Sequence, residues 1–159
     1  FSEEYNIQVK LQHELYAFLE EMCDFLGKYE PKIICHRDFH SRNILLNKNG
    51  KQVLIDFQDM MMGSPVYDIS SILYDAYKPI SNTDRKKLFE YFKDRCKYSK
   101  NRFKEYYLSQ CFQRSFKALG TYFYQFTEKK NLRFKTSILS AIENLLEISQ
   151  LGMFTDQTY

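Results

Sequence analysis

The sequence has no tryptophan, only five glycines and three prolines among 159 residues, and no apolar run approaching 18. So few turn formers argue against a loop-rich sandwich or barrel, and the short apolar runs argue against a membrane-spanning helix. The first residues do not read as a signal peptide. Gly27, Gly50, Gly63, Gly120 and Gly152 lie far apart, so neither G-x-G-x-x-G nor G-x-x-x-x-G-K-[ST] can be written anywhere in the chain. An excess of one charge is missing too. With 23 Lys and Arg against 20 Asp and Glu, the net charge of +3 is too balanced for a nucleic-acid footprint, so neither a nucleic-acid polymer nor a membrane is an expected partner. Cys23, Cys35, Cys96 and Cys111 show no C-x-x-C pairing and no zinc spacing, which fits reduced thiols and a cytoplasmic location.

What is present reads as a mainly helical unit with a small β-hairpin. Leu11, Leu15, Phe18, Leu19, Met22, Phe25 and Leu26 step by three and four, predicting an amphipathic helix that ends near Gly27 and Pro31. A short apolar run, Ile33-Ile34-Cys35, leads into the dense polar stretch HRDFHSRN. Then Ile44-Leu45-Leu46 and Val53-Leu54-Ile55 read as two strands joined through Asn47-Lys48-Asn49-Gly50. A Met-rich loop runs to Gly63-Ser64-Pro65, and a helix begins near Tyr67-Asp68. Beyond Pro79 the pattern is helical. Ser81 to Asp84 supply cap residues for a helix carrying Leu88, Phe89, Phe92 and Cys96. Phe112, Phe116, Leu119, Phe123 and Phe126 predict one core face. Ile138, Ile142, Leu145 and Ile148 predict another, after a linker at Lys129 to Asn131.

Asp38, Asn43 and Asp56 stand at a loop, its exit, and the far end of the returning strand, so a hairpin brings them together. Asn43 and Asp56 offer two oxygens, which suits Mg2+; that ion fills its other positions with phosphate and water. Asp38 then lies beside the metal, able to accept a hydrogen bond from an attacking hydroxyl. This is a layout for phosphoryl transfer, in which positioning and charge neutralisation do most of the catalysis.

These residues carry a resemblance. HRDFHSRN, VLIDFQD and GSPVYDIS are similar to the H-x-D-x-x-x-x-N, (I/V)-D-F and Y-D-(L/I) series of the aminoglycoside phosphotransferase and choline kinase group, relatives of protein kinases. Within that group Arg37, the string IDFQD and the later QRSFKALGTYF are most similar to the bacterial anomeric kinases of N-acetylmuramate and N-acetylglucosamine. The resemblance implies the C-terminal lobe of a protein-kinase-like fold over residues 1–159, with the nucleotide-binding N-terminal lobe absent from this chain and packing against it. It also implies a catalytic loop at 36–43, a metal segment at 55–59 and a helical substrate region at 66–152.

The implied reaction is transfer of the ATP γ-phosphoryl group, with Mg2+, to a small-molecule acceptor, an amino sugar above all; the lone chain is expected to be inactive. By the same resemblance Asp38 is the catalytic carboxylate, and His36 belongs to the catalytic loop as its scaffold. Asn43 and Asp56 hold Mg2+, and Leu45 and Ile55 form the floor beneath the adenine. Asp68 hydrogen-bonds back to the catalytic-loop backbone, and His40 supports the loop or approaches the phosphates. Asp59 and Arg114 are substrate candidates, Arg42 is a candidate phosphate partner, and Gln113 and Gly120 match the subfamily string.

Plainer readings stand beside these: Asp68 as an N-terminal helix acid, Leu45 and Ile55 as buried strand residues, Arg42 as an exposed cation. His36, Asp38 and His40 at alternate positions could also build a two-His-one-carboxylate iron site, which leaves Asn43 and IDFQD without a role. An aminoglycoside, choline or other small-alcohol kinase is an alternative, as is a non-catalytic kinase-like binding module, against which Asp38, Asn43 and Asp56 all speak. A protein kinase would need D-F-G and A-P-E segments that IDFQD and the short interval to Tyr67 do not supply.

Overall fold

The computed structural model describes residues 2–97 and 102–152. In chain order these form α1 (Ser2–Gly27), β1 (Ile33–Cys35), a 3-10 turn (Ser41–Asn43), β2 (Ile44–Leu46), β3 (Gln52–Leu54), β4 (Met61–Gly63) and α2 (Tyr67–Leu73). Then come α3 (Asn82–Arg95), α4 (Phe103–Thr127), a second 3-10 turn (Leu132–Phe134) and α5 (Lys135–Gln150). Helices dominate, as the shortage of turn formers implied. No helix among the described residues is long and apolar enough to cross a membrane.

The hairpin forms where expected. β2 and β3 are antiparallel, with Leu45 opposite Val53. At its tip Gly50 adopts φ +71°, a left-handed conformation that suits glycine. Asn47 Oδ1 accepts from the backbone N–H of Asn49 and of Lys51, each at 2.9 Å. The second strand begins at Gln52 and stops at Leu54, one residue earlier at each end than the sequence pattern places it. The reason is local. Ile55 donates its N–H to Asn43 O, its carbonyl is taken by the His36 ring, and Asp56 then turns the chain at φ 67°.

The Met-rich segment corrects the reading more substantially. Met61–Gly63 is a strand, paired antiparallel with Ile33–Cys35. Methionine carries no strand signal and the partner lies far away in sequence, so local pattern gives no notice of this ladder. Gly63 also lets the two strands approach closely, since a Cβ there would sit 3.0 Å from Cys35 Sγ. The pairing fixes the entrance of the polar loop against the segment that follows Asp56.

Ser81 caps α3 by accepting from the Asp84 N–H, as the cap residues predict. The main core joins Val66, Leu73, Tyr74, Phe89, Tyr107, Leu108, Cys111 and Ile148. A satellite of Ala76, Tyr122, Ile138 and Ala141 lies between α4 and α5. On α4 the buried positions include Tyr107, Cys111, Ser115 and Tyr122, beside the predicted phenylalanine stripe; Phe123 is exposed. On α5 Ile142 is likewise more open than Ala141 and Asn144. On α5 a buried polar group is paired: Asn144 Nδ2 donates to Tyr74 O at 3.0 Å in the interior. Burial pushes the Cys111 thiol up to about 12, and burial plus the nearby Asp68 carboxylate push Cys35 up to about 11, so both remain thiols.

Candidate active site

The polar loop is braced from several directions. Asp68, in the first turn of α2, accepts from the backbone N–H of His36 at 2.7 Å and of Arg37 at 3.0 Å. Arg37 is thereby held at φ 71°, a left-handed conformation that a residue with a Cβ adopts at a cost of roughly 1–2 kcal/mol. Such strain persists where the surroundings over-determine it. His36 is 3% exposed, and its Nε2 lies 2.9 Å from Ile55 O. A carbonyl can only accept, so Nε2 carries the proton and the ring ties the loop to the exit of β3. Further along, buried Asp75 accepts from Ser41 N–H and from Tyr77 N–H, both at 2.8 Å, anchoring the 3-10 turn.

Asp38 sits at the centre of this frame. Asn43, itself buried, donates through Nδ2 to Asp38 O at 2.9 Å and to Asp38 Oδ2 at 3.1 Å. The other carboxylate oxygen, Oδ1, lies 3.3 Å from His40 Nε2. Both oxygens are thus oriented while the side chain stays half exposed. His40 is in turn packed edge-on against Tyr77, which also meets the Tyr122 ring and the Arg42 guanidinium, the latter 3.7 Å from its ring centre.

Asp38 opens into a cleft of about 340 Å³. One wall comes from the loops: Arg37, Asp38, His40, Asp56, Gln58 and Asp59. The other comes from α4, with Arg114, Lys117, Ala118, Thr121 and Tyr122, and Tyr67 and Tyr77 close the space between them. Arg114 is fixed from α2, donating through Nε to Ser71 Oγ at 2.9 Å and through Nη1 to Tyr67 OH at 2.7 Å. Burial first, then the Arg114 and Arg37 guanidiniums, push the Lys117 ammonium below its usual value against the opposing pull of Asp38.

Asp38, His40, Asp56, Asp59 and Arg114 therefore meet around one cleft. His36 and Asp68 stand behind it as bracing, and Asn43 links the two groups through Asp38. Leu45 and Ile55 do not line the cleft. They belong to an open apolar surface on the hairpin with Leu46, Val53 and Leu54, all of them exposed. Gln113 is engaged with Gln110, and Gly120 faces open space. Asn43 and Asp56 offer one amide and one carboxylate oxygen. Asp56 Oδ1 receives Gln58 Nε2 at 2.7 Å, and Asn43 spends only its Nδ2 on Asp38, which leaves hard oxygen atoms on both side chains. That donor set fits Mg2+ shared with phosphates. Among the described residues no three His, Cys, Asp or Glu side chains are arranged to hold a metal, so His36, Asp38 and His40 do not form the iron triad.

Asp75 and Lys117 escaped sequence reasoning. Asp75 follows a helix with no motif around it, and only its long-range bond to Ser41 gives it meaning. Lys117 did carry a signal, since it lies three residues after Arg114 and shares its helix face.

Asp68→Ala leaves two loop N–H groups without their carboxylate and is expected to lower kcat at least about tenfold, with a stability loss of about 1–3 kcal/mol. Steady-state kinetics beside a denaturation curve check this; an unchanged kcat would mean the loop holds its shape without Asp68.

The fold places the chain among the phosphotransferases. The sequence model of the phosphotransferase enzyme family matches residues 3–102, and the chain belongs to that family. It is similar to the N-acetylmuramate/N-acetylglucosamine kinase of Pseudomonas aeruginosa, 33% identical over 75 residues, covering 45% of this chain and 22% of that protein. The kinase of the same name from Caulobacter vibrioides is 34% identical over 59 residues, covering 35% of this chain and 16% of the other. That from Neisseria meningitidis serogroup B is 44% identical over 48 residues, covering 30% and 14%. The matches span under a quarter of the length of these relatives.

Proposed function

We propose that this chain is the acceptor-binding lobe of an ATP- and Mg2+-dependent kinase that phosphorylates a hydroxyl of an amino sugar, N-acetylglucosamine or N-acetylmuramate. The observation that carries the reading is the Asp38 carboxylate, held by Asn43 and faced by His40 at the mouth of a polar cleft. The acceptor hydroxyl donates to Asp38. As its oxygen bonds to the γ-phosphorus and the bond to the β-phosphate oxygen breaks, the proton passes to the Asp38 carboxylate and ADP leaves. In a loose transition state that proton moves late, so alignment matters more than basicity. Asn43 and Asp56 would hold the metal. When bound, Mg2+ supplies neutralisation of charge on the phosphates.

The exposed apolar hairpin supports two further parts of the proposal, an adenine floor at Leu45 and Ile55 and a nucleotide-binding lobe seated over Leu46, Val53 and Leu54. Relatives named as kinases of the two amino sugars support the acceptor class. The test is a panel of N-acetylglucosamine, N-acetylmuramate, an aminoglycoside and choline, each with ATP and Mg2+ and the complete protein. Phosphate is expected on the amino sugars. Transfer only to the aminoglycoside or choline would overturn the acceptor, and transfer to none would favour a binding module.

A further inference from the structure

Opposite Asp38, the α4 wall of the cleft carries two cations that the reaction does not use. Arg114 and Lys117 stand one turn apart on a single helix face, where like charges repel and cost about 0.2–0.5 kcal/mol. Asp38 draws on Lys117 across the cleft, but it does not close to an ion pair. Among the described residues neither side chain forms an ion pair, although Asp38, Asp56 and Asp59 line the same cleft. Arg114 is also preorganised: Tyr67 and Ser71 occupy Nη1 and Nε, leaving Nη2 with no hydrogen-bond partner among the described residues. A fixed guanidinium loses little freedom when a ligand arrives, so its binding energy is realised more fully. Arg114 and Lys117 both stand on the α4 side of the cleft that Asp38 opens into, and Asp38 is the group that takes the acceptor's hydroxyl proton.

We propose that Arg114 and Lys117 form a carboxylate-binding site for the acceptor, so that this enzyme favours an acidic amino sugar over its neutral counterpart. The inference rests on the amino-sugar reading above. A carboxylate accepts from the remaining Nη2 of Arg114 while the Lys117 ammonium adds a point charge beside it, an arrangement of charge-assisted bonds that a neutral sugar cannot make. Lys117 is the specificity residue to change, because its side chain supports no other part of the fold, whereas removing Arg114 would also release Tyr67 and Ser71.

The experiment measures kcat/KM of the complete protein for N-acetylmuramate and for N-acetylglucosamine, each against ATP, in the wild type, Lys117→Met and Lys117→Arg. The expected result is a fall of about tenfold or more in the muramate-to-glucosamine ratio for Lys117→Met, and recovery to within about threefold of wild type for Lys117→Arg. A ratio unchanged in Lys117→Met, including the case where both sugars lose equally through a raised KM for ATP, would overturn the carboxylate site and leave the sugar-kinase reading standing. No turnover of either sugar by the wild type would overturn the acceptor class, and this inference with it.

Discussion

Asp38→Asn is expected to lower kcat by about 10²–10⁴-fold in the complete protein while leaving the fold intact. The substitution is nearly isosteric. Asn43 Nδ2 keeps its bond to the backbone carbonyl of residue 38, and an amide oxygen can still accept from it where Oδ2 did. What disappears is the negative charge and the capacity to take up the acceptor's proton. The His40 ring, 3.3 Å from Oδ1, then faces a neutral group and no longer helps to hold a carboxylate. Because the hydroxyl can still hydrogen-bond to an amide oxygen, KM for the acceptor should change far less than kcat. A kcat within tenfold of wild type, with circular dichroism unchanged, would remove Asp38 from the proton-accepting role. Loss of kcat with a melted spectrum would instead place it in the loop's support.

Arg85→Ala should have the largest effect on stability, about 3–5 kcal/mol. Arg85 is 6% exposed and joins three parts of the chain. Its Nε donates to Leu73 O at 3.0 Å at the end of α2, and Nη2 to Ile80 O at 3.1 Å in the connection to α3. Nη1 pairs with Glu147 of α5, and the guanidinium lies 4.0 Å from the Tyr74 ring centre. Burial disfavours the charge, yet the Glu147 hydrogen bond and the surrounding charges more than offset it, and the guanidinium pKa is raised. Alanine leaves two carbonyls without donors and a carboxylate without its partner, a penalty larger than the value of the contacts alone. Lysine cannot reproduce the three-way fork, so Arg85→Lys should recover only part of the loss. For a domain of this size the alanine variant should melt about 6–20 °C lower. A midpoint within about 2 °C of wild type would contradict the bracing role. Since Arg85 lies outside the cleft, protein that remains folded at low temperature should keep its KM values.

Local signals in the sequence carried much of this structure. Asn49-Gly50 between two apolar triplets is enough to specify the hairpin, because its tip needs one residue in the left-handed region and glycine provides it. Ser81 with Asp84 is enough to start α3. The spacing of Asp38, Asn43 and Asp56 across that hairpin was also legible, since the distance between strand ends follows from the pairing itself. The strand at Met61–Gly63 was not. Its pairing with Ile33–Cys35 depends on a partner nearly thirty positions away and on a close approach that only Gly63 permits. The α4 face was legible only in part, for a related reason: Phe112, Leu119 and Phe126 do pack against the core, but Phe123 does not. Apolar period identifies a stripe, but α2 and α5 choose which side of it is covered, and here they bury Ser115 and leave Phe123 in the open.

What the sequence determined by itself was a helical domain with one hairpin and, through local spacing, a cluster of Asp38, Asn43 and Asp56 at its base. Tertiary structure alone decided how that cluster is held and what faces it. Asp68 and Asp75 reach back more than thirty residues to fix the loop backbone, and α4 brings Arg114 and Lys117 to the opposite wall. The division follows from the range of the forces. Turns and helix caps are set by bonds between near neighbours, whereas a carboxylate bracing a distant N–H, or two cations facing an aspartate, exists only once packing has closed the intervening chain.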